Sequence, residues 1–333
     1  MKRIAVVLLL FLAERTGAST SLDPNAVRAA AEYSARHRGV SFLAIQNGRT
    51  LLEQDAKTPH KIYSGTKAFW NLAALAAAEQ GLLDLDARVA NTIPSWRDDP
   101  RKSQVTIRQL LNFDSGIEPL FRLHETQSGD RDALALRARM VAEPGSAFIY
   151  GPAALQVFHH VLKQKLGDQT PTHFLERRVL HRLGLGRQRY LADRADNPLL
   201  ATGWILTASE WAKIGRVVLN NGAPVISRQS LEQCWRGTAA NRAFSLGWWN
   251  NRAAPNGREL DFEQMLMPKW PNQNWSDACL CRDAPSDLVA SIGSEGQRLY
   301  VIPSLKLIVI RQANGGSFSD AQFLRLLLGR ERR

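Results

Sequence analysis

A serine and a lysine three residues apart, in the run Ser64-Gly65-Thr66-Lys67, are the part of this 333-residue chain best suited to covalent chemistry. A serine hydroxyl is a poor nucleophile until a neighbouring base removes its proton. If a helix begins at Ser64, Lys67 lies one turn on and on the same face, within reach of the hydroxyl. The N-terminus of a helix also presents unpaired N–H groups and partial positive charge where an oxyanion would form. A buried amine near other cations loses affinity for its proton and can serve as base. The spacing alone is loose, because about one Ser-x-x-Lys is expected by chance in a chain of this length. Its position adds weight. Gly65 to Gln80 is rich in Ala and Leu, lacks Pro or internal Gly after Gly65, and stops at Gly81. That pattern predicts a mostly buried helix with a glycine stop. A lysine at its mouth needs a reason.

Other chemistries find less support. No Gly-x-Ser-x-Gly elbow is present, which argues against an α/β-hydrolase. The seven histidines form no His-Glu-x-x-His, and His159-His160 reads as an ordinary helix surface. Cys234, Cys279 and Cys281 allow one disulfide and leave one thiol over; Cys234 could pair with either of the others. Cys279 and Cys281 lack two further ligands at zinc-finger spacing, so neither a metal nor an organic cofactor is expected. Trp248-Trp249 could line a substrate cleft, although large aromatics are more often core. Trp248 is taken as the substrate-contact candidate.

The elements that must position these residues can be read from the pattern. Hydrophobic residues make up 44% and charged residues 22%, which is ordinary globular usage and excludes disordered and collagen-like classes. The net charge of +12 comes from scattered basic residues with no zinc-finger, RRM or basic-zipper pattern, so no nucleic-acid partner is expected. Lys2 and Arg3, the apolar run Ile4–Ala13 and the small residues at 16–19 have the layout of a secretory signal peptide over residues 1–18. The expected mature protein is periplasmic or secreted, with no integral membrane segment. Asn25 to Arg38 reads as a helix. Val40–Gln46 and Thr50–Glu53 read as strands joined by Asn47-Gly48-Arg49, a hairpin signal. Ile107–Asn112, Ala153–Lys165 and Ser209–Asn220 are helix candidates. Leu288–Ser291, Arg298–Ile302 and Leu307–Arg311 are strands, and Ser319–Leu328 is a final helix. Strands at both ends with helices between them predict an α+β fold. One antiparallel sheet is built from about residues 19–63 and 286–333, with a helical insertion over about 80–285.

Tyr63-Ser64-Gly65-Thr66-Lys67-Ala68-Phe69 and Glu79-Gln80-Gly81-Leu82-Leu83-Asp84-Leu85-Asp86 resemble the β-lactamase-related serine hydrolases. That family includes class C β-lactamases, DD-carboxypeptidases, carboxylesterases and 6-aminohexanoate-dimer hydrolases. The resemblance continues through Thr106–Asn112, Ser115-Gly116-Ile117, Glu143-Pro144-Gly145, Phe148-Ile149-Tyr150, Gly203–Ala208 and Leu246–Trp249, in the family's order. It implies that Tyr150 shares the Ser64 proton with Lys67. A phenol with an unperturbed pKa of about 10 would need cationic neighbours to do so as a base. It also implies that the third family motif falls on Ser291-Ile292-Gly293, and that the backbone N–H of Ser294 completes an oxyanion hole with that of Ser64. Ser291 and Gly293 are then substrate-contact positions.

Two departures accompany it. Pro152 stands where the family usually has asparagine, and Ser291 where it has a cation that grips a substrate carboxylate. Together they favour a carboxylic ester over an amide and argue against a proficient β-lactamase or carboxypeptidase. The expectation is a serine hydrolase acting on a small ester or amide. The rival expectation is a non-catalytic or penicillin-binding cell-wall protein that keeps the fold. The oligomeric state is open.

Overall fold

The computed structural model describes residues 21–125, 129–265 and 274–330. The expected signal segment lies outside the described residues. Helix α1 (Pro24–Arg36) starts on Asp23, whose carboxylate accepts from the Asn25 N–H, with Pro24 at the first helical position. Strand β1 (Gly39–Gln46) follows, and Asn47 and Gly48, both at positive φ, turn it into β2 (Arg49–Gln54). Helix α2 (Thr66–Glu79) runs through the centre, and every residue from Thr66 to Ala77 is buried. Its many alanines let neighbours approach on all sides.

The middle of the chain supplies α3 (Ile107–Asn112), α4 (Pro152–Leu166) and α5 (Ala208–Leu219). Capping boxes at Thr106/Gln109 and Thr207/Glu210 define where α3 and α5 begin. Next come β3 (Phe244–Ser245), β4 (Trp248–Asn250), β5 (Val289–Gly293), β6 (Gln297–Ile302), β7 (Leu307–Ala313) and α6 (Asp320–Leu327). They close one seven-stranded sheet in the order β2-β1-β7-β6-β5-β4-β3. Every neighbouring pair is antiparallel.

Helices α1 and α6 pack on one face, where Asp320 and Ser34 meet β6 and β7. Helix α5 packs on the other, with Gly215 against Leu299 and Ile308. The α+β sheet drawn from both chain ends is therefore present. One boundary differs from expectation: β3 and β4 come from residues 244–250, inside the section read as a helical insertion. They are two and three residues long, too short to show an alternating pattern, and their aromatic side chains are buried on the sheet edge.

Candidate active site

Ser64 does not open α2 directly. It lies in a single 3-10 turn, Tyr63–Gly65, and α2 begins at Thr66. The turn is tethered by Ile62 N–H to Trp204 O at 3.0 Å and by Gly65 N–H to Ile62 O at 2.9 Å. Tyr63 takes φ 45°, a left-handed conformation unfavourable for a bulky residue. Gly65 has no room for a side chain, since a Cβ there would lie 2.6 Å from Cζ2 of Trp211.

Lys67, one turn on and 3% exposed, donates from Nζ to Ser64 Oγ at 2.7 Å and to the Ala201 carbonyl at 2.7 Å. No carboxylate pairs with it among the described residues. Burial therefore acts unopposed and brings its pKa down from 10.5 to about 7. The Tyr150 ring lies under the amine, 4.6 Å from Nζ to the centroid. Tyr150 was expected to be eased toward ionisation by this cation. Burial instead holds its hydroxyl well above the usual phenol value, only partly offset by a hydrogen bond with Ser64. Tyr150 is thus neutral at physiological pH, and Lys67 is the group poised to lose a proton.

Gly293 and Ser294 come to the same place from the sheet. A Cβ on Gly293 would sit 2.1 Å from the Ile62 carbonyl oxygen, so only glycine lets β5 abut the Ser64 turn. Neither the Ser64 nor the Ser294 N–H donates to a protein acceptor among the described residues. Two unpaired N–H groups beside a nucleophile are what an oxyanion hole requires.

A cavity of about 800 Å³ opens over these residues, lined by Ser64, Lys67, Tyr150, Pro152, Gly293 and Ser294 among others. Phe121, Leu191 and Ile205, all exposed, stand on its wall, and Ile205 is 51% exposed. Lys61, His124, Glu263 and Glu295 add polar groups. The His124 imidazole is held down to about 4, first by desolvation against the wall and then by the charge of Lys67. The Tyr63 hydroxyl is pushed up to about 12 by desolvation and by its contact with Glu295. Phe121, His124, Leu191, Glu263 and Glu295 carry no periodic or motif signal, and only folding gathers them.

Two expected substrate contacts are not in the cavity wall. Trp248 is fully buried, edge-on to Trp235 with ring centroids 5.8 Å apart, and belongs to the core. Ser291 is fully buried too, and its Oγ faces the Gly65 carbonyl oxygen at 3.5 Å. Ser291 and Gly293 share one face of β5, and the short serine side chain ends against the Gly65 carbonyl without reaching the cavity. His159 is likewise inside the protein, 2.8 Å from an Asp132 carboxylate oxygen, and not on a helix surface.

Cys234, Cys279 and Cys281 are buried free thiols, and burial raises each pKa. Among the described residues Glu259, Cys281 and Asp283 gather donor atoms within 4.8 Å of one another. The Arg325 guanidinium already bonds both carboxylates there, so a cation is in place.

The Beta-lactamase family model matches residues 26–328. Among curated proteins, "Protein flp" of Staphylococcus aureus strain MW2 is 28% identical over 163 residues, 41% of this chain and 33% of that protein. The chain thus spans about a third of that relative's length. Among solved structures, a class C beta lactamase from Rhodobacter sphaeroides superposes with a TM-score of 0.67 at 21% identity, covering 92% of this chain and 99% of the other. A family VIII carboxylesterase superposes with a TM-score of 0.64 at 18% identity, covering 92% and 97%. At such identities the superpositions show a shared fold.

Proposed function

The chain belongs to the beta-lactamase family, and on that premise we propose that it hydrolyses a carboxylic ester or a small amide through an acyl-enzyme on Ser64. The observation that carries this reading is the buried Lys67 amine, 2.7 Å from Ser64 Oγ and brought to a pKa of about 7. A base tuned to the working pH can take the serine proton without a strong thermodynamic penalty.

In the proposed sequence, neutral Lys67 removes the Ser64 proton as Oγ attacks the substrate carbonyl. The N–H groups of Ser64 and Ser294 receive the oxyanion. Tyr150 gives its phenolic proton to the departing oxygen or nitrogen, and recovers one from Lys67. Water then releases the acyl group by the same steps in reverse roles, leaving acid and free enzyme.

The cavity wall supports an apolar acyl group, through Phe121, Leu191 and Ile205. Pro152 offers no amide to bind a substrate amide, which supports an ester. Ser291 supplies no cation at the position where the resemblance implies one, which supports a substrate without a carboxylate. Export is part of the proposal, on the signal-peptide layout of residues 1–18. No helix among the described residues is long and apolar enough to cross a membrane.

The decisive experiment is turnover of p-nitrophenyl acetate and butyrate by the purified protein beside Ser64→Ala. Loss of activity by at least about 10⁴-fold is expected, with an acyl adduct on Ser64 in the parent by intact mass. Full ester turnover by Ser64→Ala would sink the proposal. Export is checked by the N-terminus of the protein recovered outside the cytoplasm, expected to begin near residue 19.

A further inference from the structure

The turn that carries Ser294 is held by two buried arginines, Arg298 and Arg311, and by the partly exposed Glu263. Arg298, on β6 and 1% exposed, donates from Nη1 to the Gly293 carbonyl at 3.0 Å. Its Nε and Nη2 bond Asp320 at 2.7 and 3.2 Å, and Nη2 also reaches Glu263 at 3.1 Å. Glu263 in turn accepts from the N–H of Glu295 and, at 3.1 Å, from that of Gly296. Arg311, on β7 and fully buried, donates to the Gly296 carbonyl at 2.6 Å.

Arg298 and Arg311 are direct cross-strand partners. Like charges opposite each other are unfavourable, and a buried ion network is often no more stable than apolar residues in its place. Stability alone therefore does not account for two arginines here. Geometry does. The Gly293 carbonyl and the Ser294 N–H belong to one planar trans peptide, so fixing one end fixes the direction of the other. A guanidinium on the carbonyl also polarises that peptide and strengthens its N–H as a donor.

We propose that Arg298 is a positioning residue for acyl transfer: it holds the Gly293 carbonyl so that the Ser294 N–H is aimed and polarised toward the oxyanion formed on Ser64, while Glu263 and Arg311 fix the rest of the turn. The inference rests on the Ser64 acyl-enzyme reading and adds a cause for the competence of its oxyanion hole.

The test uses Arg298→Lys, which keeps a charge but loses the fork, and Glu263→Gln, which leaves the Arg298–Asp320 pair intact. Each is measured for kcat and KM on p-nitrophenyl butyrate, for its pH profile, and for affinity toward phenylboronic acid, whose Ser64 adduct places a hydroxyl in the oxyanion hole. Arg298→Lys is expected to lower kcat about 10- to 100-fold with KM within about twofold. Boronic acid affinity should fall by a similar factor, with the pH limb near 7 unmoved. Glu263→Gln should move the same quantities in the same direction by about 3- to 10-fold, since the one amide oxygen still accepts while the NH2 in place of the other oxygen faces a donor and loses its bond. A folded Arg298→Lys protein with parental kcat and boronate affinity overturns the inference. If that variant does not fold, parental values in Glu263→Gln overturn it equally. Failure of the parent protein itself to acylate Ser64 would remove the acyl-enzyme reading and this inference with it, and that is read before any variant is compared.

Discussion

In the proposed mechanism Lys67 sets the pH dependence, because only its neutral amine can take the Ser64 proton. With a pKa of about 7, kcat/KM should fall about tenfold per pH unit below 7 and level off above about 8. A pH–rate profile with no limb between pH 6 and 8 would remove Lys67 from the role of base. The same group has a stability consequence. Its folded pKa lies below its unfolded value of 10.5, so between about 7 and 10.5 the unfolded chain binds more protons and stability rises with pH. The favourable contribution is complete above 10.5 and is lost as pH falls through 7. Lys67→Met should therefore be inactive yet melt a few degrees higher than the parent at pH 6, read by thermal unfolding. Tyr150 is held neutral by burial, and the proposed mechanism uses it as the proton donor to the leaving group. Tyr150→Phe should slow ethyl esters by about 10²-fold or more and p-nitrophenyl esters far less, because p-nitrophenolate leaves without a proton. Trp248 makes the opposite case. Trp248→Ala should cost about 3–5 kcal/mol of stability through the cavity it opens, with KM unchanged, because the ring is core and touches no substrate.

At the scale of elements, the site exists because β5 and the Ser64 turn touch without intervening side chains. Gly293→Ala places a Cβ against the Ile62 carbonyl, 2.1 Å away before relaxation. The turn and strand must then separate, which should cost about 1–3 kcal/mol. Moving the Ser294 N–H away from the oxyanion should also lower kcat/KM by about 10²-fold or more. Thermal unfolding and ester kinetics on one preparation check both; an unaltered kcat/KM would show that the oxyanion lies elsewhere. The elements themselves were largely legible. Helix α3 falls on the residues expected from sequence, α4 is one residue longer at each end, and α5 lies one residue earlier, because capping residues and hydrophobic period act locally. The short β3 and β4 were not legible, since two or three residues cannot display a period and only the partner strand makes them a sheet edge.

For the molecule as a whole, one sheet drawn from both chain ends means that α6 stabilises a strand core it does not belong to. Ending the chain after Gly316 removes Asp320, one of the two carboxylates bonded to Arg298, together with the buried Phe323, Leu324 and Leu327 that cover that face of the sheet. Urea unfolding should then show a loss of about 3–5 kcal/mol or more. A truncated protein of parental stability would contradict that account. By itself the sequence determined the α+β layout and singled out Ser64, Lys67 and Tyr150 as the candidate site. Those features depend on short-range spacing, capping and blocks of residues kept in order. Only the tertiary structure decided that Tyr150 is raised in pKa and not lowered, that Ser291 and Trp248 face inward, and that Phe121, Leu191 and Ile205 wall the cavity. It also decided that Arg298, five residues beyond Gly293, turns back onto that residue's carbonyl. Burial, desolvation and the direction of a side chain are properties of what surrounds a residue, and distant parts of the chain supply those surroundings.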